Sequence, residues 1–253
     1  TGGKGGVFME PYWRWFMYQT KNLPEQREKC LEYFGTPENM FIAPREKVEK
    51  AEFLSEPARA ALLVSRTEEE LQREEKEMTE KGIVFYSREH EAYPARLKEI
   101  HHPPCGLFVR GRLTHFEKEK KGVQAAAAVG APWARHGGLS LAKETAGALA
   151  EEGIPVISGM ASGIDGAAQE AALMAGGESY AVLGCGPDIC YPRHNAGLYR
   201  MLENKGGLLS EYPPGTPPVA WHFPYRNRII SGLSDAVLVV EAPERSGALI
   251  TAN

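Results

Sequence analysis

Three glycine-bearing turns and one arginine-rich stretch hold the residue types of this chain that could do chemistry. The turns are Val129-Gly130-Ala131, Ser158-Gly159-Met160-Ala161-Ser162-Gly163-Ile164-Asp165 and Leu183-Gly184-Cys185-Gly186. Glycine lets a backbone approach a phosphate closely, and free N–H groups at the start of a following helix favour an anion. Ser158 and Ser162 could add hydroxyl donors. Asp165 has two readings: a ligand contact, or an N-cap satisfying the orphan N–H groups of its own helix. Chain reversal alone would also explain such turns, but three on one sheet edge favour an anion site. None has the G-x-G-x-x-G spacing, and no G-x-x-x-x-G-K-[ST] occurs, so a nicotinamide or ATP reading is disfavoured.

The arginine-rich stretch runs Trp221-His222-Phe223-Pro224-Tyr225-Arg226-Asn227-Arg228-Ile229-Ile230, with further arginines at Arg193 and Arg200. Guanidinium forks bind phosphate, and aromatic faces stack bases without sequence preference. Alternatively, Arg226 or Arg228 pairs with Glu211 or Glu241 and ties the loop to the sheet. Removing both charges is expected to weaken polyanion binding and leave the fold largely intact. Ser246 and Gly247 place small donors at one more strand's carboxyl edge.

The elements that must position these groups alternate. Apolar runs suited to strands occur at Ile83–Tyr86, Leu107–Gly111, Val123–Val129, Pro155–Ile157, Tyr180–Leu183, Gly207–Ser210 and Ala236–Val240. From Val123 onward they are separated by glycine turns and by helical segments at Ser140–Glu152, Gly166–Ala175 and Ala196–Lys205. Repeated strand, turn and helix predict a Rossmann-like α/β domain with a mostly parallel sheet flanked by helices. Ligands of such sheets bind outside the carboxyl ends of the strands. The prolines of Ser210–Pro218 predict a rigid extended loop, and a helix is expected to open near Glu244. Before Gly82 the chain reads as helical from about Pro11 to Gln72, with Gly35 closing one helix and Thr36-Pro37-Glu38 opening the next. The charged run Arg66–Glu80 reads as a solvated helix face. These patterns divide the chain into a small helical domain over 9–75 and a Rossmann-like domain over 76–253. Thr1–Gly6 reads as a disordered leader or an upstream extension.

At 253 residues with a formal charge of −4, the chain is not coated with positive charge, although a local basic groove remains open to it. No segment approaches the roughly 18 apolar residues of a membrane span. Cys30, Cys105, Cys185 and Cys190 form no metal-ligand spacing and read as reduced thiols of a cytoplasmic protein. No metal or cofactor is expected.

Together these stretches resemble the DNA-processing protein A (DprA/Smf) family. The resemblance covers nearly the whole chain. It is most specific in Ser158–Asp165, Ala181–Gly186, Ser210–Thr216, Phe223–Ile230 and Ser246–Leu249, with Tyr93-Pro94 and Leu107–Gly111 also matching. It implies a non-catalytic protein that binds single-stranded DNA, protects incoming strands and helps load the recombinase RecA in natural transformation. It also implies homodimerisation through the Rossmann-like domain. Three departures stand out. Ala131-Pro132 occupies the place where members carry a small residue and Arg, and Gln169 stands where His is usual. The sequence ends at Asn253, before the last sheet strands and the C-terminal winged helix of the family. Restoring an arginine at Pro132 is expected to tighten binding.

Two other readings compete. A nucleotide glycosidic-bond hydrolase would need a carboxylate poised in the glycine pocket, for which Asp165 and Glu241 are the candidates. The Gly-Gly-x-Gly-Thr turn of such hydrolases is missing. A relative that has lost activity could instead use the fold for protein contacts alone.

Overall fold

The structure is a computed structural model, which describes residues 5–113, 115–116 and 125–241. Six helices come first: α1 (Gly5–Gln19), α2 (Arg27–Phe34), α3 (Pro37–Ile42), α4 (Arg45–Glu49), α5 (Glu56–Ser65) and α6 (Glu68–Glu80). Their ends follow local chemistry. Gly35 takes φ +89° and donates its N–H to the Leu31 carbonyl at 2.7 Å, closing α2. Thr36, Ser55 and Thr67 cap α3, α5 and α6 by accepting the N–H three residues on. Two expectations are corrected here. Gly5 and Gly6 belong to α1, not to a disordered leader. The face of α6 is not wholly solvated either, because Leu71, Glu74 and Met78 are buried against the other helices.

The strands are β1 (Ile83–Ser87), β2 (Gly106–Gly111), β3 (Ala126–Gly130), β4 (Val156–Ser158), β5 (Ser179–Leu183), β6 (Gly206–Ser210) and β7 (Ala236–Val240). They form one sheet in the order β1-β2-β6-β5-β4-β3-β7. The run from β6 to β7 is parallel, while β1 and β2 are antiparallel additions. Helices α7 (His136–Glu151), α8 (Ile164–Met174), α9 (Ala196–Lys205) and α10 (His222–Gly232) make the crossovers. The expected Rossmann-like sheet is therefore present.

Alternation along the strands decides which helix covers which face. Ala128, Val156, Ala181, Leu183 and Leu208 point toward α7, α8 and α9. Ala142, Ala146 and Ala150 on α7, with Ala168 and Ala172 on α8, keep that layer thin enough for the two helices to pack side by side. Ala127, Val129, Ile157, Tyr180, Val182 and Leu209 point the other way. There they bury Tyr93, Leu97 and the Ile229-Ile230-Leu233 stripe of α10. The six-helix layer packs on Ile83, Phe85, Cys105 and Phe108 at the β1–β2 end.

The helix α10 is absent from the sequence reading, which saw Trp221–Ile230 as the continuation of a proline-rich loop. Pro224 sits in its first turn, where a missing N–H costs nothing. The helices expected at Ser140 and Gly166 start earlier, at His136 and Ile164. The helix expected near Glu244 lies outside the described residues. Among those described, Cys30, Cys105 and Cys185 are buried and Cys190 is half-buried, all as free thiols. No described helix is long and apolar enough to cross a membrane.

Candidate nucleic-acid interface

Parallel strands end together, so the turns after β3, β4 and β5 meet on one rim. Contacts join them into a continuous edge. Gly163 faces the Pro132 carbonyl, which a Cβ at that position would meet at 2.7 Å. Its φ of +76° also requires glycine. Asn195 donates to the carbonyls of Met160 and Ala161 at 2.9 and 3.4 Å. Gly184 packs under Phe223, and the Phe223 and Tyr191 rings lie 5.5 Å apart. Gly130, Gly159 and Gly184 thus stand on a single edge, as their spacing predicted.

The amides of Gly130 and Gly159 are taken up inside the fold. The Asp165 carboxylate accepts from Gly130 N–H at 3.4 Å and from Gly159 N–H at 3.1 Å, so the protein's own anion occupies those amides. The Gly186 N–H donates to the Thr216 carbonyl at 2.9 Å. Ser158 is buried and donates to the Ala128 carbonyl at 2.6 Å. Asp165 does not cap α8: it is the second residue of that helix, and Gly163 holds the cap position. Burial pushes the Asp165 carboxyl above its ordinary value, while Arg226, Ser158 and the two glycine amides pull it back.

The arginines also make their contacts inside the fold. Arg226 is 4 % exposed. Its Nη1 donates to the Gly159 carbonyl at 2.9 Å and its Nε to Asn227 Oδ1 at 3.1 Å. Desolvation lowers the guanidinium pKa, and Asp165 opposes that shift. Arg228 donates to Glu211 at 2.6 Å, to the His102 carbonyl and to the Tyr225 carbonyl, so it ties α10 to the sheet. Glu211 also takes 2.6 Å from the buried Arg27 of α2, so one carboxylate joins α10, the end of β6 and the helical layer. At the N-cap of α7, Arg135 donates its N–H to the Glu241 carboxylate at 2.9 Å. This contact lies at the switch between β3 and β7, where the chain reverses its direction of travel across the sheet. Ser246 and Gly247 lie outside the described residues.

The groups that do face outward on this rim are side chains. Arg135, Arg193 and His194 are exposed, and Ser162 shares a hydrogen bond of 3.1 Å with His194. Trp133, Tyr191 and Trp221 are exposed aromatics, with Phe223 half-buried between Tyr191 and the Gly184 turn. Sequence reading singled out glycines and passed over Trp133, Tyr191 and His194. Their place on loops that follow parallel strands was the available signal.

Residues 84–253 match the family model described as DNA recombination-mediator protein A. The chain belongs to the DprA family. It is 41 % identical to DNA processing protein DprA of Bacillus subtilis over 177 residues, covering 68 % of this chain and 57 % of that one. It is 46 % identical to Protein Smf of Escherichia coli over 166 residues, covering 64 % of this chain and 42 % of that one. The chain thus spans about half the length of the curated relatives it matches. The fold agrees with the crystal structure of DprA from Streptococcus pneumoniae at a TM-score of 0.77 and 32 % identity, over 96 % of this chain and 81 % of that one. DprA from Helicobacter pylori, described for its single-stranded DNA binding mode, aligns at a TM-score of 0.60 and 26 % identity, over 67 % of this chain and 74 % of that one.

Proposed function

We propose that this DprA-family chain binds single-stranded DNA along the rim formed by the loops after β3, β4 and β5. The observation that carries the reading is the row of exposed Arg135, Arg193, His194 and Tyr191, with half-buried Ser162 and Phe223 beside them, along one joined edge. Cations follow the phosphates and rings meet the bases, which is the combination that holds a single strand without reading its sequence. Asp165 on the Gly130 and Gly159 amides, Arg226 on the Gly159 carbonyl and the Glu211–Arg228 ion pair are the frame that fixes these loops and do not themselves contact DNA.

Within this reading the protein works in the cytoplasm as a non-catalytic mediator that shields incoming strands and helps load RecA, as a homodimer through its α/β part. Residues 9–75 are the small helical domain of this reading, docked on the β1–β2 end of the sheet. The non-catalytic reading is supported by the state of the two candidate carboxylates: Asp165 is spent on backbone amides and Glu241 on the start of α7.

Fluorescence anisotropy of a labelled oligo-dT tests the proposal. Binding at micromolar or lower concentration, weakening steeply as salt rises, is expected. A folded sample without salt-sensitive binding would refute it. Co-sedimentation of RecA with the DNA-bound chain tests the finer claim.

A further inference from the structure

Trp133 stands apart from the contacts that join the rim. Its side chain is 91 % exposed, whereas a tryptophan ordinarily buries roughly 150–250 Å². The turn that carries it is nevertheless pinned at both sides. Ala131 N–H donates to the Glu241 carbonyl at 2.9 Å, and Arg135 N–H donates to the Glu241 carboxylate at 2.9 Å. Between them Pro132 fixes its own φ and sets its carbonyl against Gly163. The indole is therefore held outward on a braced turn.

The surroundings choose the occupant. A protein-docking face would extend the ring with further exposed apolar surface. Here the exposed residues that follow are Arg135, His136 and Gly137. The Arg135 side chain is 91 % exposed, although it lies 3.4 Å from Glu241. A flat aromatic surface beside a solvent-facing cation suits one unit of a single strand, a base with its phosphate. The turn is also continuous with the rim through Gly163 and Ser162.

We propose that Trp133 is a base-stacking residue: an unpaired nucleobase lies on its indole, with the adjoining phosphate toward Arg135. This deepens the single-strand reading of the rim and rests on it.

The test compares two strands of equal length, oligo-dT and an abasic deoxyribose-phosphate oligomer, on the full chain. Trp133→Ala should weaken oligo-dT binding about ten-fold or more. It should leave the salt slope unchanged and close most of the gap between the two strands, because stacking releases no counterion. Trp133→Phe should keep most of the affinity. Trp13 and Trp15 are buried, so fluorescence quenching by oligo-dT that survives Trp221→Phe but not Trp133→Phe would report the ring directly.

An unchanged oligo-dT affinity in Trp133→Ala overturns the inference, and so does an equal loss on both strands. A change in sedimentation without a change in DNA affinity also overturns it, assigning the ring to a contact between copies. If the parent chain binds neither strand, the single-strand reading falls and the stacking role with it. A parent that binds while Trp133→Ala binds equally well sinks the stacking role alone.

Discussion

Arg226 lies against the Cα of Gly159, so that a side chain at Gly159 would collide with its guanidinium, and its Nη1 donates to the Gly159 carbonyl at 2.9 Å. A Cβ at Gly159 would have to displace this buried guanidinium, so packing inside the fold already accounts for glycine in the second turn. The same arginine bears on Asp165, which gathers the amides of Gly130 and Gly159. One buried assembly therefore sets the relative height of the β3 and β4 turns. Arg226→Ala would remove the buried donor to the Gly159 carbonyl and the charge that holds the Asp165 carboxyl down, and should cost about 1–3 kcal/mol. Urea melts should show that loss, and Gly159→Ala should be destabilised as well. A stable Arg226→Ala variant with unchanged midpoint would contradict the assembly.

Exposed cations should behave in the opposite way. Arg193→Ala is expected to leave the melt within about 0.5 kcal/mol of the parent. It should weaken oligo-dT binding and reduce the slope of log K against log salt by about 0.7, because one phosphate fewer is neutralised. Pro132→Arg should move the affinity the other way, since Pro132 is exposed on the same edge. Anisotropy titrations at several salt concentrations measure both.

Glu211 should be the most sensitive carboxylate between the helical layer and the sheet. It is 2 % exposed and is held at 2.6 Å by both Arg27 and Arg228. Glu211→Ala strands two guanidinium groups and should lose about 3–5 kcal/mol. Limited proteolysis should then cut the variant near residue 80 sooner than the parent.

Glu74 makes stability depend on pH. Burial between α1 and α6 pushes its carboxyl up to about 8, with Arg14 pulling down and Glu70 pushing further up. A folded pKa above the unfolded value means that the folded state holds a proton the unfolded chain has released. Stability should therefore fall as pH rises from about 4.5 to about 8, then level off. Glu74→Gln removes this dependence. It should exceed the parent by on the order of 5 kcal/mol at pH 9 and match it near pH 4. Thermal melts across that range would decide, and an equal gap at both ends would refute the assignment.

The alternation of apolar run, glycine turn and helix was enough to fix the sheet class and the edge where the turns meet. Ala236–Val240 and Ala196–Lys205 could be bounded from the sequence to the residue, because each is flanked by polar or glycine punctuation. Caps at Gly35 and Thr36 were equally legible, since such signals are local. The helix α10 was not. Its stripe of Ile229, Ile230 and Leu233 becomes apolar-facing only against Leu97 and Val182, from distant parts of the chain. The direction of polar groups was also beyond the sequence. Gly130 and Gly159 amides looked free until Asp165 was placed between them, and Arg226 looked exposed until α10 laid it on Gly159. Residue types and spacing determined that a rim would form, because strand polarity follows from chain order. Which groups on it stay buried and which reach solvent was decided by packing between segments far apart in sequence, where each hydrogen bond spent inside the fold removes a donor from the surface.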